Sequence, residues 1–256
     1  MLRKSGVKKV KEHLLVTLGK NRFLHPEENS VHLVDNPKIN EFLNDLEHFP
    51  HAYVLACLMD RQIKAERAWT IPWAVKEALG SFDIEVLGKQ PLEYYQELFT
   101  TQALHRFCTS MAKTFHATIH KILDDFSGDA SRIWSGNPSS AAVVYRLLQF
   151  DGCGIKIATM AVNILARQFK IPFSDYYSID ISPDVHVFRV MKRTGLVSST
   201  ADRESIIYKA RELNPEFPGI IDFSCWEIGR NYCRPQNPKC GDCPIELECK
   251  KVGISS

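Results

Sequence analysis

Apolar residues recur along this chain at helical rather than alternating spacing, and glycine and proline fall mostly between the periodic stretches. The pattern predicts a nearly all-α protein. Asn36-Pro37 reads as a helix start, Asn at the cap and Pro in the first turn, with Ile39, Phe42, Leu43 and Leu46 following at helical spacing. Pro50 opens a helix whose run Tyr53-Val54-Leu55-Ala56-Cys57-Leu58-Met59 is apolar on every side, so it is expected to be central and buried. That run stops abruptly at Asp60-Arg61-Gln62.

Further helices are expected near 70–79, 91–99, 101–112 and 114–126, with a short basic one over 5–19. Residues 22–34 read as irregular with short extended pieces. Asn137-Pro138 repeats the cap-and-proline start. Ala141, Ala142, Val144, Tyr145 and Leu148 are assigned as the apolar face of the helix that follows, and Ile157, Ala158, Ala161, Ile164 and Leu165 as the matching face of the next. The two predict a helical hairpin. A loop is expected over 170–183, then helices at about 184–194, 201–213 and 218–232.

The hairpin turn carries Gly152-Cys153-Gly154, followed at once by Ile155-Lys156. Two glycines two apart permit a sharp turn and leave amide groups unshielded at a helix start, a place for a phosphate oxygen. Asp184, in Pro183-Asp184-Val185-His186, offers a carboxylate at another helix start. A lysine nucleophile and a carboxylate beside a phosphate-binding turn define a chemical proposal. Taken alone, each has an ordinary explanation: a solvated lysine, and an aspartate that caps a helix.

Composition narrows the setting. The chain has 256 residues, 45% hydrophobic and 24% charged, with a formal net charge of only +2, so any basic surface is local. Arg3, Lys4, Lys8, Lys9 and Lys11 make one such cluster. No apolar run reaches the roughly 18 residues of a membrane span, and no signal-peptide pattern is visible. Four of the eight cysteines, Cys233, Cys240, Cys243 and Cys249, crowd the tail with spacing C-x6-C-x2-C-x5-C. That favours a metal centre in a reducing compartment. Four thiolates suit zinc or a [4Fe–4S] cluster, and spacing does not separate the two on general chemistry.

Together these motifs resemble the helix-hairpin-helix (HhH-GPD) base-excision DNA glycosylases, endonuclease III-like branch. The resemblance lies in Phe150-Asp151-Gly152-Cys153-Gly154-Ile155-Lys156-Ile157-Ala158, in Pro183-Asp184-Val185-His186-Val187-Phe188-Arg189-Val190, and in the cysteine spacing. Asp151 stands where the family hairpin has proline, and the segment 101–121 lacks the family pattern. The resemblance implies a two-lobed all-α fold. One lobe is a helical barrel over 50–170 with the hairpin at about 140–165; the other joins 1–49 to 171–256 and holds the cluster. It implies an intracellular monomer acting on double-stranded DNA with a damaged or mispaired base.

Lys156 is then the nucleophile of a glycosylase with apurinic/apyrimidinic lyase activity. Its amine is expected to be freed by burial near a helix start and by neighbouring cations. Asp184 stabilises positive charge on the sugar or helps to deprotonate the amine. Gly152, Gly154 and His186 contact backbone phosphate, Gln62 and Arg61 fill the stack left by an extruded nucleotide, and Arg234 and Lys239 meet DNA from the cysteine loop. The four cysteines ligate a [4Fe–4S] cluster. Two other expectations fit the same motifs: a monofunctional glycosylase for alkylated or mispaired bases, and a non-catalytic DNA-binding protein.

Overall fold

The computed structural model of the chain describes residues 12–25 and 34–254. Among these, every regular element is helical. The helices are α1 (Leu14–Leu24), α2 (Pro37–Asn44), α3 (Pro50–Met59), α4 (Ala65–Leu79), α5 (Ile84–Gly88) and α6 (Leu92–Thr101). They continue with α7 (Cys108–Phe126), α8 (Ser140–Leu148), α9 (Ile155–Arg167), α10 (Val185–Arg193), α11 (Arg203–Leu213) and α12 (Asp222–Asn231). Short 3₁₀ turns lie at Ala130–Ile133, Pro218–Ile221 and Glu246–Glu248. No described helix is long and apolar enough to cross a membrane. The basic cluster at residues 3–11 lies outside the described residues, as does the part of 22–34 where extended pieces were expected.

Helix α3 forms the axis. Every residue from Pro50 to Met59 is buried, and the helix packs against α2, α4, α7 and α9. Tyr53 Oη donates to Ala161 O of α9 at 2.6 Å, so even its polar atom is satisfied in the core. Asn36 caps α2 by accepting from Lys38 N and Ile39 N. A second group forms where α10 packs on α12, and α1 packs on α12 and on the Pro218–Ile221 turn. That last contact is backbone against backbone: a Cβ at Gly19 would lie 2.1 Å from Ile220 O.

Several boundaries depart from the sequence reading. The two helices expected over 101–126 are one helix, α7, because Met111 through Ile122 continue a single buried stripe with no breaker. The break falls earlier, where Ala103 takes a left-handed φ of 48°. Helix α8 is capped by Ser139, whose Oγ accepts from Ala142 N at 3.2 Å, while Asn137 has φ 53° and lies outside the helix. The buried face of α8 is Ser140, Val143, Val144 and Leu147, not the face expected; Tyr145 is 64% exposed and Leu148 37%. Asp83 caps the short α5, which was not anticipated. The first helix runs to Leu24, several residues beyond the expected end.

Candidate active-site cleft and cysteine loop

The hairpin is built as α8, a six-residue turn and α9. Gly152 has φ 82°, a conformation that a side chain disfavours, and a Cβ there would lie 2.7 Å from Arg61 Nη1. Arg61, from the loop after α3, thus rests on the turn. Gly154 is the N-cap of α9 in extended conformation and supplies no capping side chain. The first amides of α9 therefore have neither an intrahelical partner nor a capping side chain. Gly152, Gly154 and Asp151 are all exposed. Beside the turn, Gln62 sits exposed at a loop tip with φ 56°.

Lys156 is the second residue of α9. Asp184 is the N-cap of α10, and its Oδ1 accepts from His186 N and Val187 N, both at 2.8 Å. Lys156 and Asp184, 28 positions apart, line one open cleft. Four further carboxyl groups line it, Asp35, Asp60 from the C-cap of α3, Glu66 from α4 and Asp222 from the first residue of α12, with Trp69 and Trp226 among the apolar walls. Among the described residues Lys156 Nζ makes no hydrogen bond and no ion pair. At the cleft edge Arg230 Nη2 donates to Glu66 Oε1 at 2.7 Å, joining α12 to α4.

The electrostatics correct one expectation. The groups around Lys156 are chiefly carboxylates, not cations. Burial raises the Asp60 carboxyl above its ordinary value; Lys156 opposes that rise and Asp184 adds to it. Burial likewise pushes Asp222 up to about 7, against the hydrogen bond from Ser182 N and with the help of Asp184. Arg167, buried along the same wall, is pulled down to about 10 by burial, its guanidinium 4.1 Å from the Phe223 ring centroid.

His186 Nδ1 lies 2.9 Å from Arg189 Nη2, and its ring meets Trp226 edge-on. It is held beside the cleft by its own helix and α12. Arg234 and Lys239 are exposed in the loop between the first two tail cysteines. That loop is tied back to α10: Arg193 donates to Arg234 O at 2.6 Å and to Pro235 O at 3.0 Å.

All eight cysteines are free thiols. Cys233, Cys240, Cys243 and Cys249 line a single pocket with Val190, Ile228 and Ile245. Arg193 Nη1 donates to Cys233 Sγ at 3.6 Å and Lys251 N to Cys249 Sγ at 3.4 Å, so two sulfurs already face N–H donors. Burial raises the thiols of Cys243 and Cys249, and the neighbouring sulfurs add to it. Among the described residues no three His, Cys, Asp or Glu side chains are drawn together as a ready single-ion site. The soft four-thiol donor set fits a multi-iron group.

No family model matches the chain. Over 104 residues, 41% of its length, it is 32% identical to endonuclease III of Thermotoga maritima, of which this covers 44%. Over 165 residues it is 25% identical to endonuclease III of Bacillus subtilis, covering 63% of this chain and 64% of that one. The chain thus spans less than two thirds of either relative. The fold extends further. It superimposes on a trapped endonuclease III–DNA covalent intermediate with a TM-score of 0.62, at 17% identity, over 98% of this chain and 97% of the other. The fold is therefore the all-α fold of the endonuclease III structures. A second structure of that fold, a thermostable thymine-DNA glycosylase, matches with a TM-score of 0.62 at 14% identity over 93% and 94% of the two chains.

Within this fold, the cleft residues that sequence reading missed are Asp60, Asp222 and the Glu66–Arg230 pair. Asp60 was legible only as the polar end of α3. Asp222 has no local signal, because it reaches the cleft through the packing of α12 on α10.

Proposed function

We propose that this protein is a base-excision DNA glycosylase with lyase activity, acting on duplex DNA that carries a damaged or mispaired base. The observation that carries the reading is the shared cleft of Lys156 and Asp184 beside the uncapped start of α9. The amides after Gly154 hold a backbone phosphate and Arg61 adds its guanidinium, fixing register without reading sequence. The target nucleotide leaves the stack, because a base inside a duplex is out of reach. Gln62, on its exposed loop tip, fills the vacated space. His186 supports the phosphate-facing end of α10, and Arg234 and Lys239 meet the backbone from the cysteine loop.

Lys156 then attacks the sugar C1′ as the free amine. The bond from C1′ to the base breaks, and its electron pair leaves with the base. Asp184 faces the positive charge that builds on the sugar, as a carboxylate does in glycoside hydrolysis. The imine that forms after ring opening permits strand cleavage by β-elimination. Cys233, Cys240, Cys243 and Cys249 would hold a [4Fe–4S] cluster, which supplies cross-linking of the loop when bound. We read the protein as a monomer in a reducing, intracellular setting, the kind of compartment in which cysteines stay as thiols. We further assign residues 50–170 to one lobe and 1–49 with 171–256 to the other.

The test separates base release from nicking over a panel of lesion-bearing duplexes, with borohydride present in a parallel reaction. Wild type is expected to release one class of base and to cross-link, and Lys156→Ala to lose the cross-link. Base release without nicking or trapping would instead favour a monofunctional glycosylase. Salt-sensitive duplex binding with no release from any lesion would favour a non-catalytic binder.

A further inference from the structure

The cleft holds more acid than a lysine–aspartate pair requires. Asp184 has committed Oδ1 to two backbone amides of α10. Asp222 is engaged more lightly: Oδ1 accepts from Ser182 N at 2.9 Å, and Oδ2 makes no hydrogen bond among the described residues. Ser182 is a junction. Its Oγ lies 3.0 Å from Thr159 Oγ1, and Thr159 Oγ1 in turn donates to Ile155 O and Lys156 O, at 2.9 and 3.3 Å. One hydrogen-bonded path therefore joins the nucleophile's helix, the segment leading to Asp184, and Asp222. Asp222 is half-buried and lines the same cleft as Lys156.

We infer that Asp222 is the proton carrier of this site, taking a proton from the Lys156 ammonium before attack and returning it to the departing group. The inference rests on the lyase reading above. At an abasic site the exchange balances as follows. Asp222 carboxylate and Lys156 ammonium become carboxylic acid and amine. The amine nitrogen bonds to the aldehyde carbon C1′, and the carbonyl oxygen, as hydroxyl, takes the proton back from Asp222 and leaves as water when the imine forms. Asp184 stays ionised throughout. Transfer runs directly or through one water. A carboxyl group poised near neutrality suits this work better than an ordinary one, and burial places Asp222 there.

The groups that act on Asp222 are Lys156 and Arg167 from α9, Asp184 from the start of α10 and Cys225 on its own helix, with Asp60 and Arg230 lining the same cleft; the paired Arg22 and Glu227 lie behind Arg167. Of these, Asp60 is the one other carboxyl group in the cleft that burial raises. It lacks the Ser182 link.

The probe is a duplex carrying one abasic site, trapped with borohydride under single-turnover conditions between pH 5 and 9. Wild type should trap at a rate that rises through an apparent midpoint near 7 and then levels. Asp222→Asn, which keeps an acceptor for Ser182 N, should be slower at neutral pH by about 100-fold and keep rising with pH, because only free amine reacts. Asp222→Glu should recover much of the rate with a shifted midpoint, and Asp60→Asn should leave the midpoint in place. Equal rates and equal pH profiles for wild type and Asp222→Asn would overturn the assignment while the lyase reading stands. So would an Asp222→Asn that is slower by one constant factor at every pH, the mark of a structural role. No trapping by wild type at any pH would overturn the lyase reading and this inference together.

Discussion

Two helix starts sit at the edge of the cleft and are finished in opposite ways. At α9 the N-cap is Gly154, which has no side chain, so the first amides are left for something outside the protein. At α10 the N-cap is Asp184, whose Oδ1 satisfies two amides within the protein. The same element is open in one place and closed in the other. An open start can receive an anion, whereas a closed one holds an anion of its own in a fixed position. The pair sets an uncapped helix start and a fixed negative charge beside the cleft that Lys156 lines.

The largest expected effect breaks the closed start. Asp184→Asn should lower lyase turnover by about 100-fold or more while leaving α10 capped. Asp184→Ala should lose the same activity and also about 1 kcal/mol of stability, read as a lower midpoint in chemical unfolding. If the two variants lose activity unequally, with Asn nearly active, the carboxylate acts only as a cap. Next in size is converting the open start into a closed one. A Cβ at Gly154 would meet nothing within 4 Å, and the backbone there is extended. Gly154→Asp should therefore raise stability by about a few tenths of a kcal/mol. It should weaken duplex binding by at least about tenfold at low salt, because a carboxylate now occupies the phosphate seat. Unchanged affinity would show that DNA does not use that start.

A smaller change is expected at Gly152, with φ 82° and Arg61 against it. Gly152→Ala should cost about 1 kcal/mol and weaken binding a few-fold as Arg61 shifts. A check of another kind is a pH trend in stability. The native carboxyl of Asp222 titrates near 7 against an ordinary 3.8. Its contribution to stability is therefore complete below about 4 and is lost as pH rises to about 7. Asp222→Asn has no such loss. Its melting temperature should gain on wild type between pH 4 and 7 and stay ahead by a constant margin above, and a gap that stays flat over the whole range would contradict the raised value.

Much of this site was legible in the sequence because its features are local. Gly152, Gly154 and Lys156 fall within five positions of each other, and Asp184 announces a helix start by type alone. The central burial of α3 followed from its uninterrupted apolar run. The misreadings came where neighbours decide. Helix α8 has only nine residues, too few for periodicity to select between adjacent faces, and the core chose Val143 and Leu147. Ser139 and Asn137 are both good caps, and the left-handed turn at Asn137 settled the choice. The acidic surroundings of Lys156 were invisible for the same reason. Asp60 and Asp222 are 162 positions apart and meet only because α3 and α12 border the same hollow.

Helix α10 has a last consequence. It carries Asp184 at its first end, and at its last turn Arg193 grips the cysteine loop through two carbonyls and a sulfur. Nine residues make a stiff rod of about 14 Å. Whatever loosens the tail, oxidation of a thiol or loss of what the thiols bind, slackens one end of that rod and lets the carboxylate at the other end drift from its post.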